Sequence, residues 1–158
     1  MQNVDEFLAH AIRLEEDAAT RLNDLSHAMK IYGNHESAAF FGKLAYFSRL
    51  HLAQARARAG YHDVPELKAD EFEWKDGESP EATSMEASHY LMDLDYAMQL
   101  SLDSEQRGFD FYDEIARTTE DPEIRMMAVE FAAEEAEHVA ELKRWIAKEA
   151  KPAKPTSS

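Results

Sequence analysis

The chain has 158 residues, the length of one domain with its own core, and 17 basic residues against 32 acidic ones give it a formal charge of -15. That balance repels nucleic-acid phosphates and anionic membrane surfaces and favours cations as small partners, although acidic helix faces also serve solubility alone. The absence of cysteine excludes disulfides, zinc ribbons and thiolate-held iron centres, and only five Gly and five Pro among abundant Ala, Leu, Glu and Met favour an all-helical class.

From Val4 to about Ile31, apolar residues recur at Phe7, Leu8, Ala11, Leu14, Ala18, Leu22 and Leu25, the spacing of one helix face. Gly33-Asn34 breaks the pattern. Asn34 is a good N-cap and Glu36 suits the positive end of a helix dipole, so a second helix should run from His35 to Ala59 and close at Gly60. Its inner side is expected to carry Ala39, Phe40, Leu44, Phe47, His51 and Ala55. Residues 60 to 83 hold Pro65, Gly77 and Pro80 among charges and show little periodicity, the mark of a long crossover anchored by Phe72 and Trp74. A short helical piece near Ser84 to Met92 leads into a third helix, from about Asp93 or Asp95 to Arg117. Ala97, Leu100, Ser101, Ser104, Gly108, Phe111, Tyr112 and Ile115 should face inward there. Asp121 as N-cap and Pro122 at the first position start a fourth helix that reaches about Lys148. The expected architecture is one domain, residues 1–150, forming an antiparallel four-helix bundle, and a tail, 151–158, with nothing to bury. The N-terminus has no basic-then-apolar leader and no apolar run reaches membrane-spanning length, so a cytoplasmic location without membrane contact is expected.

The two halves repeat one another. A shift of 90 positions lays Glu15 on Glu105, Ala18 on Gly108 and Leu22 on Tyr112; a shift of 87 lays Asn34 on Asp121, Leu44 on Phe131 and His51 on His138. Two related helical hairpins facing each other explain both registers. Glu135-Ala136-Glu137-His138 puts a carboxylate and an imidazole one turn apart on one face, where both can ligate an ion. The pair lies among Phe131, Ala132, Val139 and Leu142, close to the inward stripe, where a carboxylate needs compensation. Glu15 and Glu105 have the same character. His10, His27, His35, His62 and His89 fit no ligand pair and read as surface or capping residues, and Met126 and Met127 read as core. Tyr112 reads as a core tyrosine with a bonded hydroxyl, and its range from the cluster also makes it a redox neighbour.

Glu15, His51, Glu105 and Glu135-x-x-His138, one group from each helix, resemble the di-iron site of the rubrerythrin branch of the ferritin-like superfamily, over about residues 4 to 148. The segments from Glu105 to Ala116 and from Phe131 to His138 are similar to that family's third and fourth helices. The resemblance implies a ferritin-like bundle that binds one or two iron ions, or another divalent metal, and reacts with dioxygen or peroxide. His51 and Glu15 would serve one ion, His138 and Glu105 the other, with Glu135 as bridge. The sequence departs from the family at Ser48, where a bridging glutamate is expected one turn before His51. Three carboxylates then face two divalent ions, which leaves open a solvent-derived anion at Ser48, a weaker second metal or a mononuclear site. Two functions are therefore weighed: a di-iron oxidoreductase, of peroxidase or ferroxidase type, fed by a separate electron donor protein, and a non-enzymatic metal-binding or assembly protein with a degenerate site. Phe40, Phe41, Tyr46, Phe47 and Leu50 are too many large side chains for one inward stripe, so a homo-oligomer, most simply a homodimer, is expected.

Overall fold

The computed structural model describes residues 3–60, 64–74, 79–81 and 94–150. The described residues form four long helices and no strand: α1 (Val4–Ile31), α2 (His35–Ala59), α3 (Leu94–Thr118) and α4 (Pro122–Ala150). α1 packs along α2 and α3 along α4, so two hairpins make an antiparallel four-helix bundle whose long connection joins α2 to α3. No described helix is long and apolar enough to cross a membrane. The piece expected near Ser84 to Met92 and the tail at 151–158 lie outside the described residues.

Local chemistry sets the boundaries. Asn3 Oδ1 accepts from the Glu6 N–H at 2.8 Å, Asn34 Oδ1 from Ser37 at 3.1 Å, and Asp121 Oδ1 from Glu123 and Ile124 at 2.8 and 3.2 Å. Each cap satisfies N–H groups that the first turn cannot bond internally. Gly33, with φ at +78°, makes the left-handed turn between α1 and α2. Gly60 ends α2 with a right-handed φ of -62°, so its role there does not depend on glycine's freedom.

The apolar core comes in two parts. Phe7, Leu8, Leu14, Tyr112, Ile124 and Phe131 lead one cluster, and Leu22, Leu25, Phe41, Leu44, Met98 and Leu142 lead the other. Several sequence expectations fail at its rim. With Leu44, Ser48, His51 and Ala55 inward on α2, the helical advance leaves Phe47 at the edge, 37% exposed, and Ala39 in solvent. Leu100 is only half-buried, and Met126 is exposed beside the buried Met127.

The crossover is pinned where Phe72 and Trp74 stack with ring centroids 5.2 Å apart and Trp74 meets Phe111 at the same distance. His10, expected in a surface or capping role, is instead buried beside this pair and edge-on to both rings. Its Nδ1 lies 2.8 Å from the Glu6 carbonyl and its Nε2 lies 2.8 Å from the Glu73 backbone nitrogen. The Glu73 N–H donates to Nε2, so Nδ1 carries the proton and the ring is neutral. Burial lowers the His10 pKa against the opposing pull of the Glu6 carbonyl and the Glu73 charge. A histidine whose folded pKa is depressed contributes stability at neutral pH that is lost as pH falls from its unfolded value, about 6.5, toward the folded one. His10→Ala should therefore cost about 2–4 kcal/mol at pH 7.5. The gap between wild type and variant in denaturant unfolding should narrow on acidification below about 6.5, and a pH-independent gap would show that His10 acts by packing alone.

Candidate metal centre

Between the two apolar clusters lies a layer of buried polar side chains. α1 contributes Glu15, α2 Ser48 and His51, α3 Ser101, Ser104 and Glu105, and α4 Glu135 and His138, all of them buried. On each helix they continue the inward stripe, so the bundle that buries the leucines also buries the acids. Glu105 Oε2 lies 3.3 Å from His138 Nδ1. Glu105, Glu135 and His138 offer ligand atoms that all fall within 4.8 Å of one another. Glu15 and His51 border this triad without belonging to it. Glu15 Oε1 accepts a hydrogen bond from the Tyr112 hydroxyl at 3.3 Å, and the His51 ring stacks on that of His138, 5.2 Å away and tilted by 18°.

The layer is rich in acceptors and poor in donors. Both oxygens of Glu135, Oε2 of Glu15, Nδ1 of His51 and Oγ of Ser48 are buried without a hydrogen-bond partner. Burial, then the charge of Glu105, pushes the Glu15 carboxyl up to about 8. Burial and the charges of Glu105 and Glu15 hold Glu135 well above the usual carboxylate range. Glu105 goes the other way: burial opposes its charge, but the contact with His138 and the charges of His138 and Arg21 hold it low. Burial, then the neighbouring His138, lowers His51 to about 4, so its ring is neutral at neutral pH. Burial raises the Tyr112 phenol well above its ordinary value and keeps it a donor. A cation fits such a cluster, because it replaces the protons that otherwise neutralise the carboxyls and satisfies orphaned oxygens. Carboxylate oxygens with imidazole nitrogen suit first-row divalent metals such as iron and manganese.

A solved structure, that of an uncharacterized conserved protein from Magnetospirillum magnetotacticum MS-1, is similar to this chain with a TM-score of 0.79 and 37% sequence identity, covering 96% of this chain and 98% of that one. The chain belongs to the same family as that protein. No protein-family model matches the chain, and a search of curated proteins gives no match. Family membership thus brings a shared bundle and no stated activity, and the chemistry rests on the residues themselves.

Three further charged groups beside the centre are not among the residues singled out from the sequence. Arg21 on α1 is buried, and its Nη2 lies 2.6 Å from Glu81 Oε2 and 2.9 Å from Glu105 Oε1. Glu81 belongs to the crossover and is fully buried. Glu134 Oε2 faces His51 Nε2 at 3.5 Å, and burial, then the charge of Glu130, raises its carboxyl to about 7. Arg21 follows Ala18 by one turn on the inward side of α1, which was a legible signal. Glu81 gave none.

Orphaned buried carboxyls should cost stability in the metal-free protein. Glu135→Gln keeps the shape and adds a donor for Glu105, so with chelator present it should raise the unfolding free energy by about 1–3 kcal/mol. A less stable metal-free variant in the same denaturant titration would mean that Glu135 is already satisfied.

Proposed function

We propose that this chain is a metal-binding protein of the rubrerythrin-like, ferritin-like kind, with iron held by Glu105, Glu135 and His138 and a second position completed by Glu15 and His51. The observation that carries the reading is the Glu105, Glu135 and His138 triad, within 4.8 Å and fully inside the bundle, with both Glu135 oxygens lacking a donor. The reaction class that follows is reduction of dioxygen or peroxide, with residues 1–150 acting as one ferritin-like domain. Bound iron would supply the redox equivalents. The protein's own part is to hold the ligands in a layer screened from water by an apolar cluster on each side. Tyr112 fixes one oxygen of Glu15 and stays protonated, which orients that carboxylate and leaves its other oxygen free to bind. A cleft of about 400 Å³ between α2 and α4, lined by Lys43, Phe47, His51, Glu137, His138 and Arg144, gives small molecules a way to the two histidines. The reading includes a separate donor protein as the source of electrons, since the bundle itself holds no cysteine for a thiolate-bound iron.

The competing reading, metal binding without turnover, draws on Ser48. It occupies the α2 position equivalent to Glu135 on α4, is fully buried and offers no charge. Aerobic oxidation of iron(II) by purified protein separates the two readings, since a non-enzymatic protein would not speed it above the buffer rate.

Metal binding itself is tested by anaerobic titration calorimetry with iron(II), and with manganese(II) as a redox-inert check. Glu135→Ala should abolish binding at the triad, and Ser48→Glu should tighten binding of a second ion by adding a carboxylate. Unchanged stoichiometry and affinity in both variants would place any ion elsewhere.

The same reading includes a homodimer. Phe40 and Phe41 pack within the chain, whereas Tyr46, Phe47 and Leu50 are 53%, 37% and 41% exposed along α2, an apolar strip suited to a second copy. Sedimentation should give a dimer that Leu50→Glu dissociates. A wild-type monomer at high concentration would refute it.

A further inference from the structure

Arg21 and Glu81 have no part in the function just proposed, yet burying both is costly unless something is gained. The pairing of Arg21 with Glu105 already neutralises the guanidinium. A second carboxylate, brought in from the crossover, adds negative charge to a layer that holds Glu15, Glu105 and Glu135. The bridge to Arg21 therefore does not by itself account for Glu81.

The geometry shows what its position offers. Arg21 takes one oxygen from each of two carboxylates. Glu105 gives Oε1 to Arg21 and presents Oε2 to His138, and Glu81 gives Oε2 to Arg21. Glu81 Oε1 lies 2.6 Å from the point where a Cβ on residue 108 would sit, and Glu135 Oε2 lies 3.3 Å from that same point. Gly108 thus leaves a gap bordered by a crossover carboxylate on one side and a triad carboxylate on the other. The segment is held in place from α3 as well, where Arg107 Nε donates to the Pro80 carbonyl at 3.3 Å.

We propose that Glu81 is a further ligand of the metal centre, a carboxylate supplied by the crossover that offsets the one α2 lacks at Ser48, admitted by Gly108 and held by Arg21. The proposal rests on the reading of Glu105, Glu135 and His138 as a metal site. It makes that site one of hard, oxygen-rich coordination, suited to iron(II) or manganese(II) more than to softer ions.

Two variants of the full chain test it by different routes. Glu81→Gln keeps the shape and an acceptor for Arg21 but removes the charge. Gly108→Ala puts a methyl group 2.6 Å from Glu81 Oε1, too close for that carboxylate to stay in place, while improving helix propensity, and a thermal melt of the variant separates displacement from loss of folding. The probes are manganese(II) affinity and the visible ligand-field spectrum of cobalt(II), which reports the number and kind of coordinating atoms independently of any turnover. Both variants should weaken manganese(II) by more than about tenfold, beyond the lower end of effects from outer-shell partners, and both should change the cobalt(II) spectrum. An unaltered spectrum, whatever the affinity, would overturn the assignment and leave Glu81 a structural partner of Arg21. Glu135→Gln is the control for the underlying site. If it too leaves cobalt(II) binding unchanged, or wild type binds no cobalt(II), the metal reading fails and this one fails with it.

Discussion

Carboxylates buried across the middle of a helical bundle are the constraint around which the molecule is arranged. Glu15, Glu105 and Glu135 interrupt what would otherwise be a continuous apolar core, and a low-dielectric interior does not tolerate three such charges unaided. Each responds in its own way: Glu105 keeps its charge by facing Arg21 and His138, whereas Glu15 and Glu135 are driven toward the protonated form. Folding therefore leaves a centre with unspent capacity for positive charge. The caps, the paired hairpins and the aromatic anchors of the crossover hold that centre closed around it.

The centre's asymmetry bears on its chemistry. Each hairpin contributes one histidine, and the two stack ring on ring across the bundle. Their environments differ, however. His138 has a carboxylate at 3.3 Å and a raised pKa, whereas His51 has Glu134 at 3.5 Å and a lowered one. With Glu135 on α4 and only Ser48 at the matching place on α2, the α3–α4 side is the stronger half for a cation. Arg21, on α1, adds fixed positive charge near Glu105. An ion on the α3–α4 side and one beside Glu15 and His51 would not be equivalent.

Much of this was legible in the sequence, for identifiable reasons. Helix boundaries were readable because Asn34 and Asp121 act locally, through bonds to the next turn. Glu15, Glu105 and His138 could be singled out because the internal repeat and the helical period both placed them inward, and Glu135 because it stands one turn before His138 on the same face. Phe47 misled because a large apolar residue near a stripe looks like part of it, while small Ser48 holds the inward position. His10 was misplaced because its partner, the Glu73 backbone, is distant in sequence and carries no side-chain signature. Glu81 was missed for a related reason: a crossover has no period to read, and only the tertiary fold brings it against Gly108 and Arg21.

The division of the core into two clusters affects how the protein opens. Most bundles fray from their ends, where hydrogen bonds meet solvent and packing is thin. Here the two apolar clusters are well filled, and the seam between them is held by one guanidinium, a few hydroxyls and shared protons. Without a cation the seam is a natural place for water to enter, since its orphaned oxygens gain there the partners that the two apolar blocks cannot give them. A multivalent ion gripped from several helices would join those blocks into one, so occupancy would be felt as rigidity at both ends of the molecule, far from the ligands themselves.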